Sequence, residues 1–586
     1  MKDMNKILTI TLLGATCLTS CGDWLDLEPE NSVTAEKYWQ SEADVSAAMT
    51  GIYCSWQSNA GFMWEQSEMR DDMIERGNSD RKGLTLVREG NITSSNPLTT
   101  WEKYYAVINQ CNLLLDRSHL ALENDPSYSE TQDEIYKAQA RVVRALMYFY
   151  LIRLWKDVPY IDQAYYDDTK SWNVAPSDRM TILATLIDDM EEVLAEGYLP
   201  YYYSSKSSDK ALNKGQVNKY MLMALLADMY RMQGSYLTDP EASQAAYKRC
   251  LTLCNNIIQS GQFALLPFTK MAADEANLPA DELVTKADSA FYVLTNQMPE
   301  EWFNTLYVDG NSNECIMELQ QDKDSYNAAG YFDLFLSPRY YAPNTTNLQN
   351  VLFLPTEKEV AMSYRYTDVR QYFCNAVLNG SPCVPKYAGI SLNMASLNVS
   401  DYKKNVIVYR LAEIYLMKAE VLTQIAMANN NDQDMLLEAY RCVFKLRDRA
   451  SAVETTDLQL SSGEYMQDRY WNELRHELPI QLNANDIQAS YMEKFILDEE
   501  ARELAFEGRR WFDVLRHAER NQEGNGNCTG GSLSYLLDIS GSCTFTDKVS
   551  YFMGQFRKPD FRYLPYPYKD VQLNDLLSQK PFWGVE

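Results

Sequence analysis

The sequence predicts a mostly α-helical protein built from pairs of helices, with a loop-rich half that contains short strands. Apolar residues recur at helical spacing over long segments, for example along one face of residues 132–155. Small residues recur where two such helices would touch, at Ala145, Ala224, Ala227, Ala412 and Ala419. Between about residues 266 and 401 the pattern changes to short apolar runs among Gly, Pro and Asn clusters, which predicts loops and a few short strands, one of them at 315–319.

The first helix is predicted to begin after Ser41, because Asp44 three residues later is typical of a capping box. We expect this helix to end near Trp56. Residues 57–100 show weak periodicity and many turn formers, which predicts a long structured loop. Long loops on a compact scaffold are often functional, so this segment is a candidate site region.

The helices that follow are predicted in pairs. The paired segments are 101–117 with 132–155, 177–195 (capped by Ser177) with 216–232, and 406–426 with 434–450. A further helix is expected between Asp239-Pro240, a cap followed by proline in the first turn, and Gly261. Helix pairs with small contact residues look like tetratricopeptide repeats, although loops of differing length interrupt the period of about 34 residues.

Residues 498–520 carry the densest signal in the chain. A helix is predicted to end at Gly508, which supplies the left-handed residue common after helices, and a second short helix follows it. The apolar face of the first helix is Leu497, Ala501, Leu504 and Ala505, and that of the second is Trp511, Phe512 and Leu515. Both helices are therefore expected to pack into the core at this corner.

Charged residues crowd the junction between these two helices. They are Glu503, Glu507, Arg509, Arg510 and Asp513. Such a cluster is either a functional site or a buried ion-pair network that fixes the corner, and we expect the network.

The chain of 586 residues is strongly acidic, with a net charge of −27. This charge argues against nucleic acid or an anionic membrane surface as the main partner. It also disfavours strongly anionic polysaccharides, unless a local basic patch overrides the sum.

The N-terminus is typical of a secretory signal: Lys2 and Lys6 precede an apolar run over residues 7–15 that is too short to span a bilayer. The run 18–21 (Leu-Thr-Ser-Cys) resembles a bacterial lipobox, which implies cleavage before Cys21 and lipidation of that cysteine. The alternative is an ordinary signal peptide with a chance cysteine.

Cysteines beyond Cys21 are compatible with disulfides in an exported protein, although pairing is not readable from sequence. The candidate pairs, each bracketing a loop-like segment, are Cys374–Cys383 and Cys528–Cys543. Cys250 and Cys254 lie one helical turn apart, and we expect them to be small residues of the core.

Several ordered segments resemble one family. ELAFEGRRWFDVLR (503–516) closely resembles the C-terminal signature of the SusD/RagB family of outer-membrane nutrient-binding (glycan-binding) lipoproteins. Similar to other parts of that family are ARVVRALMYFYLIRLWKDVPYI from Ala140, NECIMELQ from Asn313 and VIVYRLAEIYLMKAEVL from Val406. The run LNDLLSQK from Leu573 is similar to the family's C-terminal LNPxLxQN run and departs from it at Asp575 and Lys580, which we interpret as loop variation.

The resemblance implies a SusD-like fold and a lipid-anchored protein at the cell surface. Asp23, Asp26 and Glu28 resemble the acidic export tag of such lipoproteins. The implied division of the chain is a signal peptide (1–20), a lipidated tether (21–35), an N-terminal helical region (36–265), a loop and short-strand variable region (266–400), and C-terminal repeat helices with a loop-rich tail of the same domain (401–586).

Catalytic and metal motifs are weak. The three histidines are far apart in sequence, and HExxH, CxxC, GxSxG, P-loop and GxGxxG patterns are missing, which argues against a zinc site or nucleotide cofactor. Residues 430–434 have a calcium-like composition but lack the EF-hand glycine and glutamate, so we interpret them as a solvated loop. A glycosidase needs only two carboxylates at a defined separation, and among 81 acidic residues some pair will always satisfy this. The presence of such a pair therefore does not indicate a glycosidase. The resemblance implies binding without cleavage, no enzyme activity and no cofactor.

Aromatic residues are the positive signal, with 41 tyrosines and 11 tryptophans. Flat rings suit the C–H face of a pyranose, and nearby amides and guanidiniums can bond its hydroxyls. The resemblance implies a shallow ligand patch made by the loop before the first repeat helix and by loops of the variable half. The residues of those regions that we predict to bind ligand, with ordinary loop packing as the alternative, are Trp64, Arg76, Asn78, Trp302, Arg339, Tyr340, Tyr341 and Asn344. Trp101, at the start of a repeat helix, is expected to be core.

Four functions remain open at this point. The leading one is a surface lipoprotein that captures an oligosaccharide or polysaccharide and delivers it to a SusC-like TonB-dependent transporter, on which it would sit as a hinged lid. The second keeps the lid but binds oligopeptides, as in the RagB branch. The third is a purely protein-binding repeat scaffold. The fourth is a hydrolase, which release of reducing ends from polysaccharide would support.

Overall fold

The computed structural model describes most of the helical scaffold and parts of the variable half. The described residues are 38–71, 73–76, 83, 86–87, 90–166, 170–206, 208–267, 302–321, 341–343, 370, 376–378, 381–383, 386, 405–450, 489–520, 536 and 549–584. The signal peptide, Cys21, the acidic tag and the two candidate disulfides Cys374–Cys383 and Cys528–Cys543 lie outside what can be described, apart from the backbone of Cys383.

The architecture is mostly α-helical, as predicted. The helices are α1 (Glu42–Glu68), α2 (Glu102–Arg117), α3 (His119–Asn124), α4 (Glu130–Trp155), α5 (Arg179–Glu196), α6 (Lys210–Gly215), α7 (Lys219–Tyr236), α8 (Pro240–Gln259), α9 (Leu411–Ala428), α10 (Gln433–Ala450), α11 (Ala489–Glu503), α12 (Arg510–Arg520), α13 (Val549–Phe556) and α14 (Tyr568–Leu573). Neighbours along the chain pack side by side: α2 on α4, α5 on α7, α7 on α8, α8 on α9, and α9 on both α10 and α11. The predicted helix pairs are therefore confirmed.

The strands are short and form two-stranded antiparallel pieces. They are β1 (Ile74–Arg76), β2 (Val158–Pro159), β3 (Pro176–Ser177), β4 (Cys315–Leu319), β5 (Tyr341–Pro343), β6 (Ala376–Leu378), β7 (Ser381–Cys383) and β8 (Val406–Arg410). The pairs are β1 with β5, β2 with β3, β4 with β8, and β6 with β7. The strand predicted at 315–319 is confirmed.

Helix α1 is longer than predicted, because it continues past Trp56 to Glu68. The polar residues after Trp56 suggested a loop, but tertiary partners hold them in the helix. The buried Gln66 amide donates to the carbonyls of Leu98 (2.8 Å) and Thr100 (3.0 Å), and its oxygen accepts from Tyr104 (2.8 Å). The predicted capping box is confirmed, since the Asp44 carboxylate accepts from the Ser41 amide at 2.9 Å.

Two predicted helix starts are wrong. Helix α5 is capped by Asp178, whose carboxylate accepts from two first-turn amides, because Ser177 is already paired with Val158 in the β2–β3 ladder. Residues 406–410 form strand β8 against β4, and the helix begins only at Leu411. The run Val-Ile-Val there favours a strand once a partner strand is available.

The C-terminal tail docks on the helical scaffold. Lys580, interpreted from sequence as loop variation, is buried and donates to the carbonyls of Trp155 (2.6 Å) and Leu564 (2.7 Å). Burial lowers the pKa of this ammonium to about 7. Its role is structural, because it donates to two carbonyls that would otherwise be buried without this hydrogen bond.

The buried apolar side chains form one core that extends from Trp39 to Leu577. Cys250 and Cys254 belong to it, as predicted, with their sulfurs 4.0 Å apart. Among the described helices we find none that is both long and apolar enough to cross a bilayer.

The corner between α11 and α12 has the predicted glycine geometry. Gly508 adopts φ +75°, and Phe506 also has a positive φ of +63°. The Trp64 indole on α1 donates to the Phe506 carbonyl at 2.9 Å, and the Gly508 amide donates to the Glu68 carboxylate. Trp511, Phe512 and Leu515 are buried, as predicted.

Replacing two glycines by alanine, one inside a helix and one at the left-handed corner position, tests this geometry. Gly51 lies inside α1 with open space around its Cα, so Gly51→Ala should raise the free energy of unfolding by about 0.5–1 kcal/mol. Gly508→Ala meets no close atom either, its nearest neighbour being 3.5 Å away, yet it should lower stability by about 1–2 kcal/mol because alanine disfavours a positive φ. Denaturant-unfolding midpoints of the two variants measure this, and equal midpoints would contradict it.

Candidate functional site

The charged corner is a buried ion-pair network, as predicted. Arg410 is fully buried and its guanidinium donates to the carboxylates of Glu314 (2.8 Å), Glu503 (2.6 Å) and Glu507 (2.8 Å). It also donates to the Glu503 backbone carbonyl at 2.7 Å. These contacts join β4, β8 and the α11–α12 corner through a single side chain.

Further cations surround the same carboxylates. Arg370 bridges Glu499 and Glu503, both at 2.7 Å, and the Lys386 ammonium lies 2.6 Å from Glu507. Burial alone would raise the pKa values of Glu499 and Glu507, but the neighbouring cations outweigh it and hold both pKa values at about 2. These glutamates are therefore charged structural partners and not proton donors at neutral pH.

A second buried cluster lies between α7, α9, α11 and α12. Glu420, Glu500 and His517 place three ligand atoms within 4.8 Å of one another, which is a metal-like spacing. However, the Arg516 guanidinium reaches Glu420 at 2.7 Å and Arg231 reaches it at 3.2 Å. Two guanidiniums at the same carboxylate disfavour a metal cation, so we assign this cluster to the ion-pair network.

Two of the predicted ligand residues belong to the interior. Trp64 is 5% exposed and bonds Phe506, while Trp302 is 3% exposed with the Arg449 guanidinium 4.7 Å from its ring centre. A ring enclosed in this way offers no face to a sugar. The ligand-binding prediction for Trp64 and Trp302 is therefore corrected to a packing role.

The two loop regions predicted to form the site meet at the β1–β5 ladder. Its register pairs Arg76 with Tyr341, Glu75 with Ala342 and Ile74 with Pro343. Residues directly opposite in an antiparallel pair lie on the same face of the ladder. The backbone thus brings together Arg76 and Tyr341, two residues that are 265 positions apart in sequence (341 − 76). The predicted residues Asn78, Arg339, Tyr340 and Asn344 lie outside the described part of the chain.

The scaffold fixes the segment that leads into β1. Arg70 is buried, with its guanidinium 4.5 Å from the Trp511 ring centre, and it donates to the carbonyls of Arg562 (2.8 Å) and Phe561. Three residues on, the Met73 amide donates to the Asp71 carboxylate at 2.9 Å. Arg70 therefore anchors the segment before β1 to α12 and to the C-terminal tail.

A separate cleft of about 450 Å³ lies elsewhere on the surface. It is bounded by α2, by the connection from Pro159 to Trp172 and by α14. Its most exposed ring is Trp172, 61% accessible, which stacks on Tyr165 with ring centres 4.5 Å apart and an angle of 29°. Neither residue was among those predicted from the sequence to bind ligand, although a tryptophan in a polar connection between helices is a usable signal.

Hydrogen bonds hold the aromatic pair in place. The Asn109 side chain makes two bonds of 2.8 Å to the backbone of Tyr165, one as donor and one as acceptor. The Tyr165 hydroxyl donates to the Ser171 carbonyl at 3.0 Å, which closes the loop beneath Trp172. The platform is therefore anchored to α2 and does not depend on stacking alone.

Acidic groups line the same cleft. Glu102 and Asp570 both line it, and burial raises the pKa of Asp570 although a hydrogen bond from the Trp101 indole opposes that rise. Trp101 itself is 4% exposed, which confirms that it is a core residue. The cleft therefore combines apolar walls with carboxyl acceptors.

Comparison with known proteins places this fold in a family. The profile of the SusD family matches residues 284–583, and a second profile, described as starch-binding associating with outer membrane, matches residues 23–200. The chain belongs to the SusD family. Among its relatives, SusD-like protein P38 of Formosa agariphila is 25% identical over 548 residues, which is 87% of this chain and 91% of that protein.

Solved structures agree with the SusD fold. A SusD homologue from Bacteroides thetaiotaomicron superposes with a TM-score of 0.62 at 15% identity, covering 95% of this chain and 100% of that one. The surface glycan-binding protein A of the same organism, solved with laminarihexaose, gives a TM-score of 0.57 at 16% identity, covering 92% and 99%. At these identities the likeness shows the fold alone.

Acid should weaken this SusD scaffold at its network. The pKa values of Glu499 and Glu507 are lower in the folded chain than in the unfolded one, so their contribution is full above pH 4.5 and is lost as pH falls towards 2. Each contributes on the order of 3 kcal/mol by this linkage. Glu507→Gln should lower the free energy of unfolding at pH 7. It should also make that free energy depend less steeply on pH between pH 5 and 2.

The matched control is Glu241→Gln, an exposed residue in the first turn of α8. The denaturant-unfolding midpoints of the wild type, Glu507→Gln and Glu241→Gln are measured at several pH values. An unchanged acid slope in Glu507→Gln would contradict the assignment.

Proposed function

We propose that this protein is a cell-surface lipoprotein that binds a neutral oligosaccharide or polysaccharide and delivers it to a SusC-like TonB-dependent transporter in the outer membrane. It would act as a lid on the transporter barrel, tethered by a lipid on Cys21. Binding and closure would be the whole mechanism, without a covalent step, so we propose no enzyme activity. Nucleic acid is not expected as a partner, because the net charge is −27.

The observation that carries this proposal is the β1–β5 ladder in a SusD fold. It joins the loop before the first repeat helix to the variable half, and it pairs Arg76 with Tyr341. An arginine beside a tyrosine suits a sugar, because the ring can cover the C–H face while the guanidinium bonds the hydroxyls. We propose that Asn78, Arg339, Tyr340 and Asn344 add to the same patch.

One family profile and one structural neighbour support a glycan as the ligand. One matching profile is described as starch-binding, and one structural neighbour was solved with laminarihexaose. The acidity of this chain favours an uncharged glycan over an anionic one.

Binding by a soluble form that lacks the lipidated cysteine (residues 22–586) to a panel of polysaccharides and a peptide mixture tests the ligand class. Affinity electrophoresis and calorimetry should show retardation by one neutral glycan class without any loss of polymer length. Peptide binding alone would assign the protein to the oligopeptide lids. Released reducing ends would indicate a hydrolase. If no polysaccharide or peptide binds and no transporter barrel co-purifies, a protein-binding scaffold is favoured.

Arg76→Ala and Tyr341→Ala should each weaken glycan binding by about tenfold, which corresponds to roughly 1.4 kcal/mol for a lost stacking or charged contact. Trp64→Phe is the control, because it removes the buried bond to Phe506 and should lower stability without changing affinity. If both site variants bind as the wild type does, the site assignment fails even where the function holds.

Cys21→Ala should release the protein from the membrane fraction, since lipidation of this residue is the proposed anchor. Cys54→Ala is the matched control, as Cys54 is an exposed free cysteine on α1. Cell fractionation and metabolic labelling with a fatty acid give the readout. Continued fatty-acid labelling of Cys21→Ala would contradict the anchor.

A further inference from the structure

We propose that the cleft between α2, the 159–172 connection and α14 is a second carbohydrate site, which takes a short unit of a neutral glycan and uses Trp172 as its stacking platform. The ligand class rests on the proposed function. The location does not, because it follows from the geometry of the cleft.

The platform is built before any ligand arrives. One face of Trp172 is covered by Tyr165, so the other face and the ring edge account for its 61% exposure. Asn109 and Ser171 hold Tyr165 from below, at 2.8 and 3.0 Å. A fixed ring loses little conformational freedom on binding, which lowers the entropic cost of capturing a sugar.

The volume and lining fit a sugar rather than an ion. About 450 Å³ lies within the usual range of roughly 300–1,000 Å³ for small-molecule sites. The walls include Tyr105, Ile108 and Leu577, and the polar groups include the carboxyls of Glu102 and Asp570. Carboxylates accept hydrogen bonds from sugar hydroxyls and repel anionic ligands, so the cleft selects an uncharged unit.

The cleft is independent of the loop site. Its lining comes from Trp101 and α2, from residues within 159–165 together with Trp172, and from segment 570–577. None of these lining residues belongs to 57–100 or to 266–400, the two regions that meet at the β1–β5 ladder. Two separate sites on one chain would bind a polymer with avidity that neither site has alone.

Two exposed leucines in the 573–577 segment, of which Leu573 lines the cleft, raise the alternative of a protein partner. Leu573 is 78% exposed and Leu576 is 55% exposed. We favour the glycan because a purely protein-facing patch has no need of an anchored aromatic stack that shares a cleft with two carboxyls. Binding of a protein partner in this cleft is one of the outcomes that the experiment below distinguishes.

Calorimetry with laminarihexaose, maltohexaose, cellohexaose, mannohexaose and xylohexaose tests the proposal on residues 22–586. We expect the Arg76→Ala/Tyr341→Ala double variant to keep residual binding of at least one of these sugars. Adding Trp172→Ala should reduce that residual affinity by tenfold or more. Adding Tyr201→Ala instead, an exposed tyrosine outside the cleft lining, should leave it unchanged. Trp172 is exposed, so its removal should not lower the thermal midpoint.

The outcomes separate the two sites. Loss of residual binding only with Trp172→Ala supports the cleft. If the double variant binds no sugar, or if Trp172→Ala has no effect on what remains, the second site is overturned. If Trp172→Ala spares sugar binding but prevents co-purification of the barrel, the cleft is a protein contact and the proposal is also overturned. Wild-type affinity that depends on Trp172 and not on Arg76 or Tyr341 would overturn the loop site and keep the cleft.

Discussion

Burying Arg410 requires carboxylates to meet it, because an uncompensated charge in the interior costs several kcal/mol. Glu314, Glu503 and Glu507 meet that requirement from β4 and from the α11–α12 corner. The strand pair and the corner are therefore locked to each other, since moving either one would leave a buried charge without a partner. Such a network adds little net stability over an apolar core, but it penalises every alternative arrangement of these segments.

The same corner holds the chain where it enters the first of the two loop regions, which contains β1. The C-terminal end of α1 lies on it through Trp64 and Glu68, and the chain continues into β1 through Arg70. The loop region is thus attached to the most constrained part of the scaffold. Loops can differ between relatives in this arrangement without disturbing the core, which is consistent with a family of binding proteins that share a fold at about 15% identity.

The cleft beside α2 illustrates a different use of the scaffold. Its walls come from segments about 400 residues apart, and Asn574 bonds the Val174 carbonyl at 2.8 Å across that sequence distance. A repeat array leaves grooves wherever a connection and a tail run beside a helix. Placing an anchored aromatic stack in such a groove gives a binding surface without adding a domain.

The sequence by itself determined the helices, the capping box at Ser41, the turn at Gly508 and the nature of the charged corner, because each depends on local spacing and residue type. It also selected Arg76 and Tyr341 through a family resemblance. Only the tertiary structure decided that α1 continues past Trp56, that Val406 begins a strand, and that Trp64 and Trp302 are interior. Each of these outcomes depends on a partner that is distant in sequence, such as Leu98 for Gln66 or β4 for β8. The burial of an aromatic ring has the same cause, since it is a property of its neighbours in space and not of the residue itself.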